Sequence, residues 1–300
     1  MQVVIEALGV HGEWPLAAAF VILAAYTYSS GLRAPAVIAI VKDVMLYVVV
    51  LAAVILLPIK LGGYAHIFEM ASRALATHTP AGSIFLKPGQ YMAYSTLAIG
   101  SAVALMLYPH TATAMLSAKS ANVVRRNMAM LPAYSLLLGM IALLGYIALA
   151  AGVATKNTSE AVPLLFLKMF PEWFAGFCLS AVAIGALVPA AIMSISASNL
   201  FTRNLYGAFA RKPLSPAGES RMAKLVSLVV KFGALVFVLR LPVAYAIDMQ
   251  LLGGIWIAQL FPAVVIGAFS RWLHPWALLA GWTAGIVTGT GMVVSLGLKS

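Results

Sequence analysis

The chain has 300 residues, 63% of them hydrophobic and 9% charged, against about 45–50% and about 25% in soluble domains. No soluble core hides that much apolar side chain, and the apolar runs recur along the whole length, so composition excludes a soluble globular domain and points to a polytopic all-α membrane protein. The net charge of +11 sits in short connections between apolar runs, a pattern that sets membrane topology and gives no reason to expect a nucleic-acid partner.

The opening "MQVVIEALGVHGEWPL" has no basic n-region and carries Glu6 and Glu13, so it does not read as a signal peptide. It reads as the tail of a helix and a loop from something larger. Eight spanning segments follow, at about 14–31, 36–58, 89–110, 127–152, 172–202, 222–241, 245–269 and 275–297, most of them reaching the roughly 20 apolar residues that a span needs. The long piece 172–202 contains Pro189, which predicts a kink or tilt. "YAHIFEMASRALATH" (Tyr64 to His78) is too polar to span and fits an amphipathic surface helix. Arg33, Lys42, Lys119, Arg125, Arg126, Arg203, Arg211, Lys212, Arg221, Lys224 and Arg271 fall on one side of the alternating connections. That side is cytoplasmic by the positive-inside rule, which puts Met1 and Ser300 outside. Such a start and the abrupt end "SLGLKS" lead us to expect flanking helices beyond both ends.

Few residues carry candidate chemistry. In the third span, Gly100, Ser101 and Pro109 interrupt a helical pattern, and proline cannot donate its backbone bond. Two readings stand: a broken helix lining a substrate site, or a proline-kinked packing helix. His110 reads as an interface residue bonded to a helix end, ahead of a proton relay or substrate contact. Ser194 and Ser198 share a helical face, with Ser196 and Asn199 offset; such hydroxyls coordinate a cation or bond to the turn before them. Lys231 sits in the middle of an apolar run, so it faces a cavity or a partner, or snorkels from a tilted helix. Arg240 and Asp248 mark an interface. The lone Cys178 lies in an apolar run and reads as a buried structural thiol. No metal-ligand cluster, phosphate loop or dinucleotide fingerprint occurs. The residues therefore give no support to an enzyme and imply neither cofactor nor metal.

The blocks "TYSSGLRAPAVIAIVKDVMLYVVV", "LYPHTATAMLSAKSANVVRRNMAMLPAYSLLLG", "IGALVPAAIMSISASNLFTRNLY" and "AIDMQLLGGIWIAQLFPAVVIG" together resemble the sodium:solute symporter family, and its bacterial monocarboxylate permease branch in particular. The resemblance runs over nearly the whole chain and implies a leucine-transporter-like, five-plus-five inverted-repeat helical bundle that works by alternating access. In these terms residues 1–300 form one partial transporter domain. Residues 1–58 end the first repeat, 89–269 make the second, and 275–297 form a peripheral helix. The implied partners are a small monocarboxylate, the lipid bilayer and the missing helices of a longer chain, in a multi-pass protein of the bacterial inner membrane. Proline or alanine transport, a sensor portion and a non-transporting fragment remain alternatives at this point.

The same resemblance makes the third span the family's second broken helix, with substrate facing Gly100, Ser101, Ala104, Leu105, Tyr108, Pro109 and His110. A small site of this kind suits a short monocarboxylate better than a sugar, and half-helix amides can receive a carboxylate. For the ion pathway, alignment on Phe201–Tyr206 puts Val188 and Pro189 where sodium-coupled members carry two hydroxyl residues. Neither offers the oxygen that a hard cation wants. A register shift offers Ser194 and Ser196 instead. Asp43 falls on the aspartate of a threonine–aspartate pair along the family's sodium exit path, and Lys42 replaces the threonine. Either the Lys42 ammonium stands in for sodium, leaving transport proton-coupled or uncoupled, or Lys42 snorkels to the surface and pairs with Asp43 or lipid phosphate. The coupling ion, Na⁺ or H⁺, stays open in the sequence.

Overall fold

The computed structural model describes residues 2–10, 12–77, 81–155, 157–210, 213–241 and 244–296, and among them it is all helix and connections, with no strand. His78, Lys156, Arg211 and Lys212, together with Met1 and Ser300, lie outside the described residues. A backbone in hydrocarbon must satisfy its own polar groups, and helices do so within each segment.

The helices in chain order are α1 (Gln2–Ala7), α2 (Trp14–Ser30), α3 (Arg33–Lys60), α4 (Tyr64–Ala76), α5 (Tyr91–Leu107), α6 (Pro109–Leu116) and α7 (Ala121–Ala150). There follow α8 (Ala161–Met169), α9 (Glu172–Leu200) with a π-helical continuation over Phe201–Tyr206, and α10 (Gly207–Phe209). The chain ends with α11 (Pro216–Arg240), α12 (Ala244–Ala258), a second π-turn (Pro262–Ile266), α13 (Gly267–Phe269) and α14 (Pro275–Leu296). Among the described residues six helical stretches are long and apolar enough to cross a membrane, and the pair Asp248–Ala258 and Pro262–Phe269, bent by 41°, makes a seventh as a broken span. The eighth expected span is α2, whose 17 residues rise only about 26 Å against a hydrocarbon core of about 30 Å. The stretch Glu172–Phe209 runs 38 residues straight through Pro189. At about 57 Å it is longer than the bilayer with its headgroups is thick, so it tilts or extends beyond it.

Local chemistry sets the helix ends. Gly31, at φ 59°, closes α2 and lets α3 begin two residues later, a left-handed conformation that glycine adopts without strain. Ser120 caps α7, its hydroxyl accepting from Val123 N at 3.4 Å. At the other end of α7 the Lys168 ammonium donates to the carbonyls of Ala151 and Gly152 at 2.7 and 3.0 Å, where a cation also complements the helix dipole.

The helices form two compact units. The larger comprises residues 1–85 and 119–239, and in it α3 packs on α9 and α7, and α4 on α7. Its core takes Val49, Val50, Ala53, Val54 and Leu57 from α3, Ile67 from α4, Leu137, Leu144 and Ile147 from α7, and Ala175, Cys178 and Ala181 from α9. The spacing of three and four residues puts each set on one helical face. Cys178 is fully buried there. The polar stretch after Gly63 is the amphipathic helix α4, which buries Ile67 and Ala71.

The smaller unit comprises residues 86–118 and 240–300. In it α12 packs between α5 and α14. On α14 a methyl group at Gly289 would sit 2.9 Å from Ile255 Cγ2, and one at Gly285 would collide with the Gln259 side chain. Absent side chains thus let these two helices approach closely. Trp256 Nε1 ties α12 to α14 by donating to Thr290 Oγ1 at 3.0 Å. Large apolar side chains elsewhere, among them Ile40, Val44, Val229, Val287 and Val294, are exposed on the helix surfaces, as lipid-facing positions are.

Candidate functional site

The sharpest irregularity in the smaller unit lies between α5 and α6. Tyr108 is extended, at φ −60° and ψ 135°, so the helix stops at Leu107 and restarts with Pro109 in its first position. That position suits proline, whose missing N–H has no intrahelical partner there. The break frees the carbonyl of Leu105, which would have received the amide of the residue that is now Pro109. The Thr111 hydroxyl fills the vacancy, donating to Leu105 O at 2.8 Å. Thr113 Oγ1 donates to Pro109 O at 2.8 Å, a bond back to the preceding turn of its own helix. The amides of Thr111 and Ala112 both donate to Tyr108 O, at 3.0 and 3.1 Å. With Pro109 lacking an N–H, the His110 amide is the one group of that first turn left to face an anion.

The expected substrate residues divide around this break. Gly100, Ser101 and Leu105 are exposed, Ala104 is buried, and Tyr108, Pro109 and His110 are half-buried. Tyr108 and His110 stack, with ring centroids 5.2 Å apart. The Tyr108 hydroxyl lies 3.9 Å from where a side chain at Gly254 on α12 would begin. The break therefore sets Tyr108 beside α12, with His110 stacked on its ring and Ala104 buried on α5. Ser101 and Leu105 point away from that packing. Thr111 is the contributor that the sequence reading missed. Its signal was a hydroxyl two residues after Pro109, within reach of the carbonyl that the proline orphans.

The expected ion-pathway residues all belong to the larger unit. Lys42 Nζ lies 2.7 Å from Asp43 Oδ1, with the Lys42 side chain 12% exposed and that of Asp43 41%. The buried Oδ1 atom makes no aligned hydrogen bond, so the contact is coulombic. The ammonium also stands 6.0 Å from the Tyr134 ring centroid on α7, at the limit of a cation–π contact. Val188 is buried and Pro189 exposed on α9. Lys60 Nζ, at the end of α3, donates to Met169 O just before α9 begins. Counted from that tie, Lys42 lies about 27 Å down α3 and Val188 about 24 Å down α9, at similar depths on packed helices. Ser194, Ser196 and Ser198 are buried, and each hydroxyl bonds back to its own helix, to Ala191 O, Ile192 O and Ile195 O at 2.8, 2.9 and 2.7 Å. Ser194 and Ser196 are about 200° apart around α9, so they face different surroundings. Among the described residues no group of three or more metal-ligating side chains comes together.

A sequence profile described as "Sodium:solute symporter family" matches residues 2–283. The chain is 53% identical over 299 residues to the monocarboxylate transport permease protein of Rhizobium johnstonii, covering 100% of this chain and 61% of that protein. It is 31% identical over 276 residues to the uncharacterized symporter YodF of Bacillus subtilis, covering 89% of this chain and 53% of that one. With the uncharacterized symporter YhjB of the same organism, the identity is 31% over 280 residues, 89% of this chain and 54% of that protein. The chain thus spans less than two thirds of the length of these curated relatives, and no solved structure matches it. A profile that covers nearly the whole chain, over helices that include a proline-broken span, leads to one assignment: this chain belongs to the sodium:solute symporter family.

Proposed function

We propose that this protein is a secondary transporter that carries short monocarboxylates such as pyruvate, lactate or acetate across the bacterial inner membrane by alternating access. The observation that carries this reading is the 53% identity, over the full chain, to a protein named for monocarboxylate transport. The break at Tyr108 supports it, because irregular backbone at membrane depth is retained where it lines a cavity or is buried in protein. In this reading the solute sits against Tyr108, Pro109 and His110, with the His110 amide turned to the carboxylate.

Coupling in this reading is to protons or to no ion. Val188 and Pro189 bring no oxygen to the family's ion-ligand positions, and the hydroxyls of Ser194 and Ser196 are held by their own helix. The Lys42 ammonium, paired with Asp43 and only 12% exposed, already supplies a cation at that depth. The experiment is uptake of radiolabelled pyruvate by the intact protein in proteoliposomes, with unlabelled lactate, acetate, alanine and proline as competitors. Lactate and acetate should compete and proline should not. Competition by proline alone would move the protein to the amino-acid branch. Uptake that requires a sodium gradient and is unchanged in Lys42→Met would end the coupling proposal.

A further inference from the structure

In the larger unit a cavity of about 370 Å³ opens between the C-terminal ends of α2 and α9 and the first turns of α11. Its polar lining includes Ser198, Arg203, Glu219, Lys224, Ser227 and Lys231. On α11, Ser220, Ala223, Ser227 and Lys231 recur at three- and four-residue spacing, so one face of that helix forms a wall of the cavity. Basic residues flank these helix ends: Arg33 opens α3 just after α2, Arg203 lies in the π-helical continuation of α9, and Arg221 and Lys224 fall in the first turns of α11, all of them residues that the positive-inside rule assigns to the cytoplasm.

The charges in this cavity do not balance. Glu219, the one acidic lining residue, is ion-paired with Arg203. Lys224 lies over the Tyr28 ring, its ammonium 5.1 Å from the centroid. Lys231 is only 4% exposed, and its ammonium donates to Ser227 Oγ at 2.5 Å. An ammonium has three donors, and among the described residues no carboxylate stands within ion-pair distance of this one. A cation withdrawn this far from solvent needs a counter-charge to remain one. The cavity beside it has room for a small anion and a path to the side from which one would come.

We propose that this cavity is an oxyanion-binding site. Lys231 and Lys224 supply the positive charge, Ser227 holds Lys231 in place and Ser198 lines the wall. The ligand is a carboxylate or a phosphate, either free in the cytoplasm or borne on a lipid headgroup. None of its lining residues belongs to the Tyr108 break, and the site stands whether or not the protein carries monocarboxylates.

The test measures thiol modification in the intact, detergent-purified protein, with the buried native thiol removed (Cys178→Ala) and a reporter placed on the cavity wall (Ala223→Cys). Rates are compared for an anionic and a cationic methanethiosulfonate, each normalised to its reaction with a free thiol. A site of this charge concentrates anions, so the anionic reagent should react about tenfold faster. The preference should survive Lys231→Arg and disappear in Lys231→Gln. Slowing by pyruvate or inorganic phosphate in delipidated protein identifies a free oxyanion, and slowing only by added phosphatidylglycerol identifies a headgroup. Equal rates, a preference for the cationic reagent, or a preference that persists in Lys231→Gln would overturn the proposal. So would failure of all three anions to slow the reaction, because the cavity would then hold no oxyanion. The reagent comparison needs no Lys231 variant, so it decides the matter even if Lys231→Gln fails to fold.

Discussion

Pro109 does two things at once: it removes an amide that Leu105 needs, and it starts α6 at the position where that amide is not missed. Thr111 is what makes the arrangement tolerable in an apolar medium, because its hydroxyl takes the orphaned carbonyl at 2.8 Å. Thr111→Val should therefore destabilise the protein by about 0.5–1.5 kcal/mol, the net worth of one hydrogen bond, with Thr111→Ser close to wild type; thermal unfolding in detergent measures both. At Lys42 the prediction concerns coupling and not stability. Lys42→Met leaves Asp43 without its partner, so pyruvate accumulation driven by a pH gradient should fall while solute exchange across the same proteoliposomes persists. The break was legible from Pro109 at the inner end of the third expected span. Thr111 was not, since its role depends on where the chain turns after Tyr108. Nor was the cavity beside Lys231, which exists only when three helix ends meet.

At the scale of elements, close approach and buried faces decide which helices pair. Gly289 on α14 faces Ile255 at a distance that leaves no room for a methyl group, and Gly289→Ala should cost about 1–3 kcal/mol by overpacking. The larger unit should respond to the opposite change. Leu57 is fully buried in the α3 face, and Leu57→Ala should cost about 2–5 kcal/mol through the cavity it leaves. Equilibrium unfolding in mixed micelles reads both, and a change under 0.5 kcal/mol at either would mean that these contacts are not maintained in the bilayer (surface substitutions fall in that range). Most elements were legible because apolar runs of span length leave few alternatives: α3, α5, α7, α9, α11 and α14 lie where hydropathy puts them. The sequence also placed the amphipathic helix α4. The sequence reading already carried α9 through Pro189 as one span, but its π-helical continuation over Phe201–Tyr206 was not legible, because the residue pattern does not distinguish a π-turn from an α-turn.

For the whole molecule, family membership and the proposed transport by alternating access make sidedness testable. Basic connections belong inside, so Ser117→Cys should react with a membrane-impermeant maleimide only from the cytoplasmic face, and Ser83→Cys only from the opposite face. Both residues are exposed in their connections. Reversed accessibility would invert the topology and with it the side from which the Lys231 cavity fills. The most direct measurement of the central claim is the accumulation of radiolabelled pyruvate in sodium-free proteoliposomes that contain the intact protein, under an imposed inward proton gradient. The account predicts uptake well above protein-free vesicles, displaced by lactate and acetate. Absence of pyruvate uptake under proton and sodium gradients alike, in protein that takes up proline, would contradict it.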